Sequence, residues 1–175
     1  MIGKILLAVD GSLHSLSATD MAAELADKLN AELFIVHVLM HGRPSAELLR
    51  MAEVEHLVEK AHAVAFPSVP YVPENRYAMM LGSSDEAGTA RVITAIGEQI
   101  VDRAKVRCVE KGARKVKTMT EMGDNAEEIL EAARRHSVDM IVIGSRGLGT
   151  IKSTVLGSVS QKVLHHAHCA VLTVR

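Results

Sequence analysis

Three glycines near the C-terminus carry the clearest chemical signal in the sequence. The chain reads Gly144-Ser145-Arg146-Gly147 and, after nine more residues, Gly157-Ser158. A largely apolar run over 138–143 precedes them, and an amphipathic segment follows, so the order predicts a strand, a loop and a helix. Glycine lets backbone N–H groups approach a ligand closely, and a helix N-terminus adds unpaired N–H donors with partial positive charge. The segment is therefore typical of a phosphate-binding site.

The glycine spacing separates this segment from two common phosphate-binding motifs. A P-loop has a lysine and a serine or threonine directly after its last glycine, and a dinucleotide-binding turn has the order Gly-x-Gly-x-x-Gly. Here the glycines at 144, 147 and 149 give the reverse order. Taken alone, the segment is open to two interpretations, a phosphate-binding loop or an ordinary turn between a strand and a helix.

Short apolar runs alternate with segments of helical periodicity along the chain. The runs predict strands over Ile5–Val9, Leu33–Val38, Val116–Met122, Met140–Ile143 and Ala170–Val174. Helices are predicted between them, over 45–64, 91–111, 126–136 and 159–166, with a first helix that Ser15 or Ser17 caps and Asn30 ends. This alternation favours an α/β fold in which a parallel sheet carries helices on both faces.

Remote parts of the sequence are expected to meet at one edge of that sheet. Asp10, Val38 and the loop at Gly144 each lie at the carboxyl end of a predicted strand. In open α/β sheets, ligands bind beyond the carboxyl ends of the strands, where the strand order reverses. The sequence therefore predicts a single crevice that these three segments line.

Several residues are expected inside the protein. In the first helix, residues at helical spacing predict a buried face, namely Leu16, Met21, Ala22, Leu25, Ala26 and Leu29. Cys108 and Cys169 lie in apolar contexts and are expected to be buried thiols. His37 is expected to be a hydrogen-bonded core residue, since buried polar groups usually have partners.

Composition narrows the functional class. The 175 residues are 48% apolar and 23% charged, as in an ordinary globular domain, and we expect a single domain over 1–175. The net charge of −1 gives no bulk attraction to nucleic acid or to an anionic membrane. The absence of a long apolar segment and of a CxxC pair fits a cytoplasmic protein with no membrane partner.

Residues 66–90 interrupt the regular pattern. Pro67, Pro70 and Pro73 are followed by a run rich in glycine and serine, which disfavours both helix and central strand. We interpret this segment as an insertion. It is either a surface excursion without a role or a lid or partner-binding arm.

Three further sets of polar residues have side chains that could bind a ligand. Lys152 and Arg146 are each either solvated or able to reach a phosphate. A histidine cluster precedes the last strand, namely His165, His166 and His168. Adjacent residues on a helix point about 100° apart, so these side chains do not converge as zinc ligands must, and no metal site is predicted there.

The two ends of the sequence resemble the universal stress protein family, in its ATP-binding branch. The glycines at 144, 147 and 157 with Ser158 are similar to the family's ATP-binding signature. The resemblance extends to Lys4–Ser12, Val36–Val38, Asp139–Gly147 and Leu156–Ser160. It covers nearly the whole chain except the insertion. One departure is His168-Cys169-Ala170, where the family usually has a proline pair around the cysteine.

The resemblance implies an open five-stranded parallel sheet of the Rossmann-like, adenine nucleotide alpha hydrolase type, and a homodimer built through the C-terminal strand. It also implies ATP, or AMP or ADP, as ligand, with Mg²⁺ bound through the nucleotide and possible help from Asp10. Asp10 would lie near the ribose and phosphates, and Val38 would offer backbone groups to adenine. The remaining implied site residues are Ala8, Ile143, Gly144, Arg146, Gly147, Gly157, Ser158 and Val159.

The expected function is nucleotide binding without efficient turnover, in a protein that regulates an unknown partner or a stress response. Hydrolysis needs charge stabilisation and a positioned water, and no P-loop lysine or obvious base lies beside the glycines. The alternative is a dimeric interaction protein of the same fold that does not use nucleotide. A nucleotidyl-transfer or electron-transfer-flavoprotein-like relative is a third, less favoured interpretation, because fold alone does not settle function.

Overall fold

A computed structural model describes residues 1–39, 46–54, 56–65, 67–68, 86–148 and 156–175. Its strands are β1 (Lys4–Ala8), β2 (Glu32–Leu39), β3 (Val116–Met122), β4 (Met140–Gly144) and β5 (Ala170–Val174). Its helices are α1 (Leu13–Leu29), α2 (Ala46–Val54), α3 (Leu57–Ala65), α4 (Glu86–Glu110), α5 (Asn125–Arg135) and α6 (Ser158–His166). The predicted alternation of strands and helices is confirmed, with bounds that differ by a few residues.

The strands form one parallel sheet in the order β3-β2-β1-β4-β5. Ala8 of β1 lies opposite Val36 on one side and Ile143 on the other. Because β2 and β3 extend the sheet in one direction from β1 and β4 and β5 extend it in the other, the strand order reverses between β1 and β4. The predicted five-stranded α/β fold is confirmed, and its switch point lies between the segments that follow β1 and β4.

Apolar side chains fill a layer on each face of the sheet. On one face Ile5, Leu7 and Ile35 pack with residues of α1 to α4. On the other face Leu6 and Ile141 pack with residues of α5 and α6. All five side chains are fully buried, and burial of each contributes about 1.5–3 kcal/mol. The central strands are thus fixed from both sides, which holds their carboxyl ends in place.

Helix α1 approaches the sheet through small side chains, contrary to the predicted face. Its buried residues are Ser15, Ala18, Thr19, Ala22, Ala23 and Ala26. Leu16, Met21 and Leu29 are exposed, so the prediction was wrong for these larger residues. Small residues let the helix axis lie close to the strands, and the large ones are left on the outer face.

The ends of α1 correct one prediction and confirm another. The N-cap is Ser12, whose Oγ accepts the N–H of Ser15 at 3.2 Å, so neither Ser15 nor Ser17 is the cap. Asn30 ends the helix in the left-handed region (φ 50°), as predicted.

The middle of the chain departs from the predicted helix bounds. The helix predicted over 45–64 is two helices, α2 and α3, and His56 between them has a left-handed φ of 54°, which a continuous helix does not allow. Helix α4 begins at Glu86, so the last residues of the predicted insertion are helical. The rest of the insertion lies largely outside the described residues.

The two cysteines differ in exposure. Cys108 on α4 is fully buried, and burial raises the pKa of its thiol to about 12. Cys169, directly before β5, is only half-buried, so the prediction of a buried thiol was wrong there. In the part of the chain that the structure describes, no helix is long and apolar enough to cross a membrane.

Candidate functional site

Asp10 follows β1, and its carboxylate links two segments at the switch point. Its Oδ1 accepts the N–H of Ser12 at 3.0 Å, which shapes the turn into α1. Its Oδ2 accepts the N–H of Leu148 at 3.2 Å, from the loop that follows β4. The N–H of Asp10 donates to Ser15 Oγ at 3.2 Å. Hydrogen bonds from the turn before α1 and from the segment after β4 therefore hold the carboxylate, and we call residues 144–157 the glycine loop.

The position of the Asp10 carboxylate explains why residue 147 is a glycine. A Cβ at position 147 would overlap Oδ2 of Asp10. The backbone of the loop can thus approach the carboxylate only because this position carries no side chain. Ser12 Oγ lies 3.4 Å from the carbonyl oxygen of Arg146, a second link between the two segments.

Gly144, the last residue of β4, lies against the first turn of α1. A Cβ there would come within 3.0 Å of Cβ of His14 and of the backbone nitrogen of Ser15. Gly144 therefore allows α1 to begin directly beside the end of β4. This close approach brings the turn after β1 next to the loop after β4.

Backbone and hydroxyl groups join the two described ends of the loop. The N–H of Gly157 donates to the carbonyl oxygen of Ser145 at 2.8 Å. Ser160 Oγ donates to the carbonyl oxygen of Gly144 at 2.8 Å and lies 3.2 Å from that of Ser145. The N-terminus of α6 is thereby fixed at the carboxyl end of β4. Residues 149–155, including Gly149 and Lys152, lie outside the described residues.

The N-terminus of α6 lacks a capping side chain. Its N-cap is Gly157, which makes no side-chain capping bond, and its first turn carries no acidic residue. Ser158 is exposed and Val159 is half-buried. A Cβ at position 157 would make only ordinary contacts, and its nearest neighbour among the described residues would be Cα of Arg146, at 3.5 Å. The first-turn N–H groups and the helix dipole therefore favour negative charge at this end of the helix.

Ser145 adds a buried hydroxyl that sequence reasoning did not single out. The residue is 1% exposed, and its Oγ has no hydrogen-bond partner among the residues that the structure describes. Such groups are rare, because an unsatisfied buried hydroxyl costs about 1–3 kcal/mol. The sequence signal was weak, since serine after the first glycine is also an ordinary turn residue.

The carboxyl end of β2 forms the other wall of the switch-point region. His37 is buried, and its Nδ1 lies 2.7 Å from the carbonyl oxygen of Val9. The prediction of a hydrogen-bonded core histidine is confirmed. Because a carbonyl only accepts, Nδ1 carries the hydrogen. Burial lowers the pKa of His37 below its ordinary value of 6.5, so the ring is neutral near pH 7.

The structure brings most of the predicted site residues to this edge. Ala8, the last residue of β1, pairs with Ile143 near the end of β4, and both are buried. Asp10, Gly144, Gly147 and the start of α6 are linked by the contacts above, and Arg146 lies half-buried within the loop. Sequence reasoning missed Ser12, Ser145 and Ser160, because their roles depend largely on contacts with other segments, such as that of Ser12 Oγ with the carbonyl oxygen of Arg146.

The histidines near the C-terminus lie on the surface. His165, His166 and His168 are all exposed. Within the described ranges, no cluster of histidine, cysteine and acidic residues has the arrangement of a metal site.

Solved structures of other proteins share this fold at low sequence identity. A universal stress protein in complex with cAMP has a TM-score of 0.60 and 23% identity, covering 99% of this chain and 97% of that one. The universal stress protein from Archaeoglobus fulgidus in complex with dAMP has a TM-score of 0.58 and 17% identity, with 100% and 98% coverage. A universal stress protein family protein from Arabidopsis thaliana with AMP bound has a TM-score of 0.59 and 19% identity. The match covers 98% of this chain and 90% of that one.

Relatives found by sequence comparison have a higher identity to this chain than these solved structures do. Universal stress protein YxiE of Bacillus subtilis is 36% identical over 175 residues, which cover 100% of both chains. A universal stress protein of Thermus aquaticus is 31% identical over 178 residues, again with 100% of both chains covered. The family description that matches residues 1–175 is that of the universal stress proteins. With its parallel sheet, its glycine loop and these relatives, the chain belongs to the universal stress protein family.

Proposed function

We propose that this protein binds ATP at the carboxyl edge of its sheet and acts as a nucleotide-responsive regulatory protein. The observation that carries the proposal is the uncapped N-terminus of α6, which the Gly157 N–H bond to Ser145 fixes at the end of β4 and whose first turn has no acidic residue. Helix N-termini with free N–H groups favour phosphates. The cAMP, dAMP and AMP complexes of proteins with this fold support an adenine nucleotide as the ligand.

The residues present fit a phosphate chain. In the proposed complex, the N–H groups of Gly147, Ser158 and Val159 and the hydroxyl of Ser158 hold phosphate oxygens. The buried, unpartnered hydroxyl of Ser145 lies at the base of the same loop and can accept or donate one more bond. A Cβ at position 147 would close the approach beside Asp10. Bound Mg²⁺ would neutralise phosphate charge, and Asp10 is the carboxylate positioned to meet it through the nucleotide.

The base would lie against the end of β2. Alternate residues of a strand direct their backbone groups to the same side. The carbonyl oxygen of Val36 accepts the N–H of Val9 on β1's side, so the N–H and C=O of Val38 face the same side, beyond the end of β1. One donor and one acceptor side by side complement N1 and the 6-amino group of adenine.

We infer slow turnover at most. The carboxylate of Asp10 already accepts backbone N–H groups from Ser12 and Leu148, and no P-loop lysine follows Gly157. A nucleotide that binds without rapid hydrolysis can order the loop and bias a partner-binding surface. Multiple-turnover phosphate release well above background from the pure protein, abolished in Gly157→Val, would contradict this part of the proposal.

A substitution at Gly157 separates nucleotide binding from stability. Gly157→Asp supplies a side-chain cap to α6 and so is expected to leave stability unchanged or raise it by about 0.5–1 kcal/mol. The same carboxylate repels phosphate, and we expect affinity for ATP to fall at least about tenfold. Titration calorimetry with ATP and AMP, with and without Mg²⁺, and urea unfolding measure the two effects.

Gly157→Ala is the matched control, because its Cβ makes only ordinary contacts and adds no charge. It is expected to bind far more tightly than Gly157→Asp. Absence of ATP binding by the wild-type protein would favour the alternative, an interaction protein of the same fold that does not use nucleotide.

We also propose a homodimer formed through β5. This strand is at the edge of the sheet, and Val171, Leu172, Thr173 and Val174 are only half-buried. A bare apolar edge strand is open to pairing with another chain. Pairing two copies around a two-fold axis would cover the β5 edge of each copy.

A further inference from the structure

The hydrogen-bond ladder between β1 and β2 ends in an unusual way. The last regular rung runs from the N–H of Val9 to the carbonyl oxygen of Val36, at 2.9 Å. In a parallel ladder the next rung would join the N–H of Val38 to the carbonyl oxygen of Val9. That rung is not found among the described residues. Instead, the carbonyl oxygen of Val9 lies 2.7 Å from Nδ1 of His37.

The imidazole thus takes the place of a backbone donor. His37 directs its own N–H and C=O toward β3, as the register with Thr120 and the bond from Leu33 N–H to Lys115 show. Only its side chain can therefore reach Val9. The ring thereby satisfies the buried carbonyl of Val9 without the N–H of Val38.

Packing holds the ring in this position. His37 is 7% exposed. On the neighbouring helix α4, Gly97 provides the space, since a Cβ there would come 3.0 Å from Cδ2 of His37 and would overlap Leu39. A glycine inside a helix costs about 1 kcal/mol relative to alanine. The glycine at this position therefore makes room first for Leu39 and also for the ring of His37.

We propose that His37 is a positioning residue for base recognition: its Nδ1–H bond to Val9 ends the β1–β2 ladder one rung early and leaves the N–H of Val38 free for N1 of adenine. This inference rests on the proposed function, because it assumes that the adenine base lies at Val38. It adds a residue that does not touch the ligand but determines whether the donor is available. It also predicts discrimination against hypoxanthine, which presents N1–H and a 6-carbonyl and would meet a donor with a donor.

The test compares two variants at position 37. His37→Leu removes the donor, so the N–H of Val38 should pair with Val9. His37→Asn keeps a donor, because Nδ2 of asparagine occupies the place of Nδ1, and it should retain the wild-type behaviour. Titration calorimetry would measure affinities for AMP, IMP and ribose 5-phosphate, and NMR would measure amide hydrogen exchange of Val38 in the ligand-free protein.

For the wild type and His37→Asn we expect AMP to bind at least about tenfold more tightly than IMP. For His37→Leu the preference should fall to about threefold or less, while affinity for ribose 5-phosphate stays within about twofold. Exchange of the Val38 amide should be about tenfold slower in His37→Leu than in the wild type, since the amide is then hydrogen-bonded. A merely structural role would lower all three affinities together.

The exchange measurement separates this inference from the proposed function. Equal Val38 exchange rates in the wild type and His37→Leu would overturn the inference, whatever the nucleotide affinities. An unchanged AMP preference in His37→Leu would do the same. If exchange slows as expected but the wild type binds no AMP, the proposed function is overturned, and the base-recognition role of His37 with it.

Discussion

At the scale of single residues, Gly147 is required by a tertiary contact rather than by backbone conformation. Its φ is not in the left-handed region, so alanine could adopt the same backbone, but a Cβ would overlap Oδ2 of Asp10. The position of the Asp10 carboxylate thus requires a residue without a side chain at this point of the loop. Sequence spacing indicates the glycine, and the structure supplies the reason for it.

This contact predicts the behaviour of Gly147→Ala. The new Cβ must displace the Asp10 carboxylate and break its bond to the N–H of Leu148. We expect a loss of about 1 kcal/mol in unfolding free energy and an affinity for ATP about tenfold weaker. Urea unfolding and titration calorimetry measure these. The matched control is Gly3→Ala, whose Cβ would lie 3.7 Å from Asp139 in ordinary contact; an equal loss in the control would contradict the explanation.

His37 predicts a specific dependence of stability on pH. Burial depresses its pKa in the folded state below the ordinary value of 6.5, so the unfolded chain binds a proton more readily than the folded one. The stability contribution is therefore fully present above about pH 6.5 and is lost as the pH falls toward the folded-state pKa. Urea unfolding at about pH 7.5 and about pH 5.5 should show a smaller decrease for the non-titrating His37→Asn than for the wild type. Identical decreases would contradict this assignment.

At the scale of elements, the start of α1 determines how β1 and the glycine loop meet. Ser12 caps the helix, accepts the N–H of Ser15, and reaches the carbonyl oxygen of Arg146. Arg107 on α4 forms a two-pronged ion pair with Asp20 on α1, with Nη2 and Oδ2 2.8 Å apart, which ties the outer helices together. The helix that begins beside the site is thus anchored at its first turn and along its outer face.

Ser12→Ala should therefore weaken both the helix and the site. Loss of an N-cap costs about 1 kcal/mol of unfolding free energy. The missing bond to Arg146 should also loosen the loop and reduce nucleotide affinity. Thermal unfolding and calorimetry test this against Ser17→Ala, because Ser17 is a half-buried serine whose hydroxyl bonds to Leu13 within the same helix. The control should change by less than about 0.5 kcal/mol; a larger effect there than at Ser12 would refute the capping role.

Prediction from the sequence succeeded for elements whose local residue pattern is enough to define them. The strand Val116–Met122 was located with the observed bounds, and its half-exposed pattern matches its place at the edge of the sheet. It failed at Leu16, Met21 and Leu29, because helical periodicity does not say which of two adjacent faces meets the sheet. It also missed the break at His56, whose left-handed φ has no strong sequence signal.

At the scale of the whole molecule, β5 offers a test of the proposed dimer. The N–H of Ala170 and the carbonyl oxygen of Val174 bond toward β4, so alternation directs the N–H groups of Val171 and Thr173 outward. Thr173→Pro removes an outward donor without breaking the β4 ladder, a change that edge strands tolerate. We expect a dimer for the wild type and a monomer for the variant by multi-angle light scattering at micromolar concentration.

Thr173→Val is the matched control, because it keeps the N–H and should remain a dimer. A monomeric wild type, or a dimer that persists in Thr173→Pro, would show that the edge of β5 is not the interface. Circular dichroism of each variant checks that the sheet itself is retained.

The sequence by itself determined the elements and the chemistry that they could carry. Apolar runs, helical periodicity and three spaced glycines predicted the strands, most of the helices and a phosphate-binding loop, because these features depend on neighbours along the chain. Only the tertiary structure decided which groups meet. Asp10 and Leu148 are 138 residues apart, and His37 reaches Val9 through its side chain. Such pairings depend on strand order and on close packing between distant segments, which local periodicity does not encode.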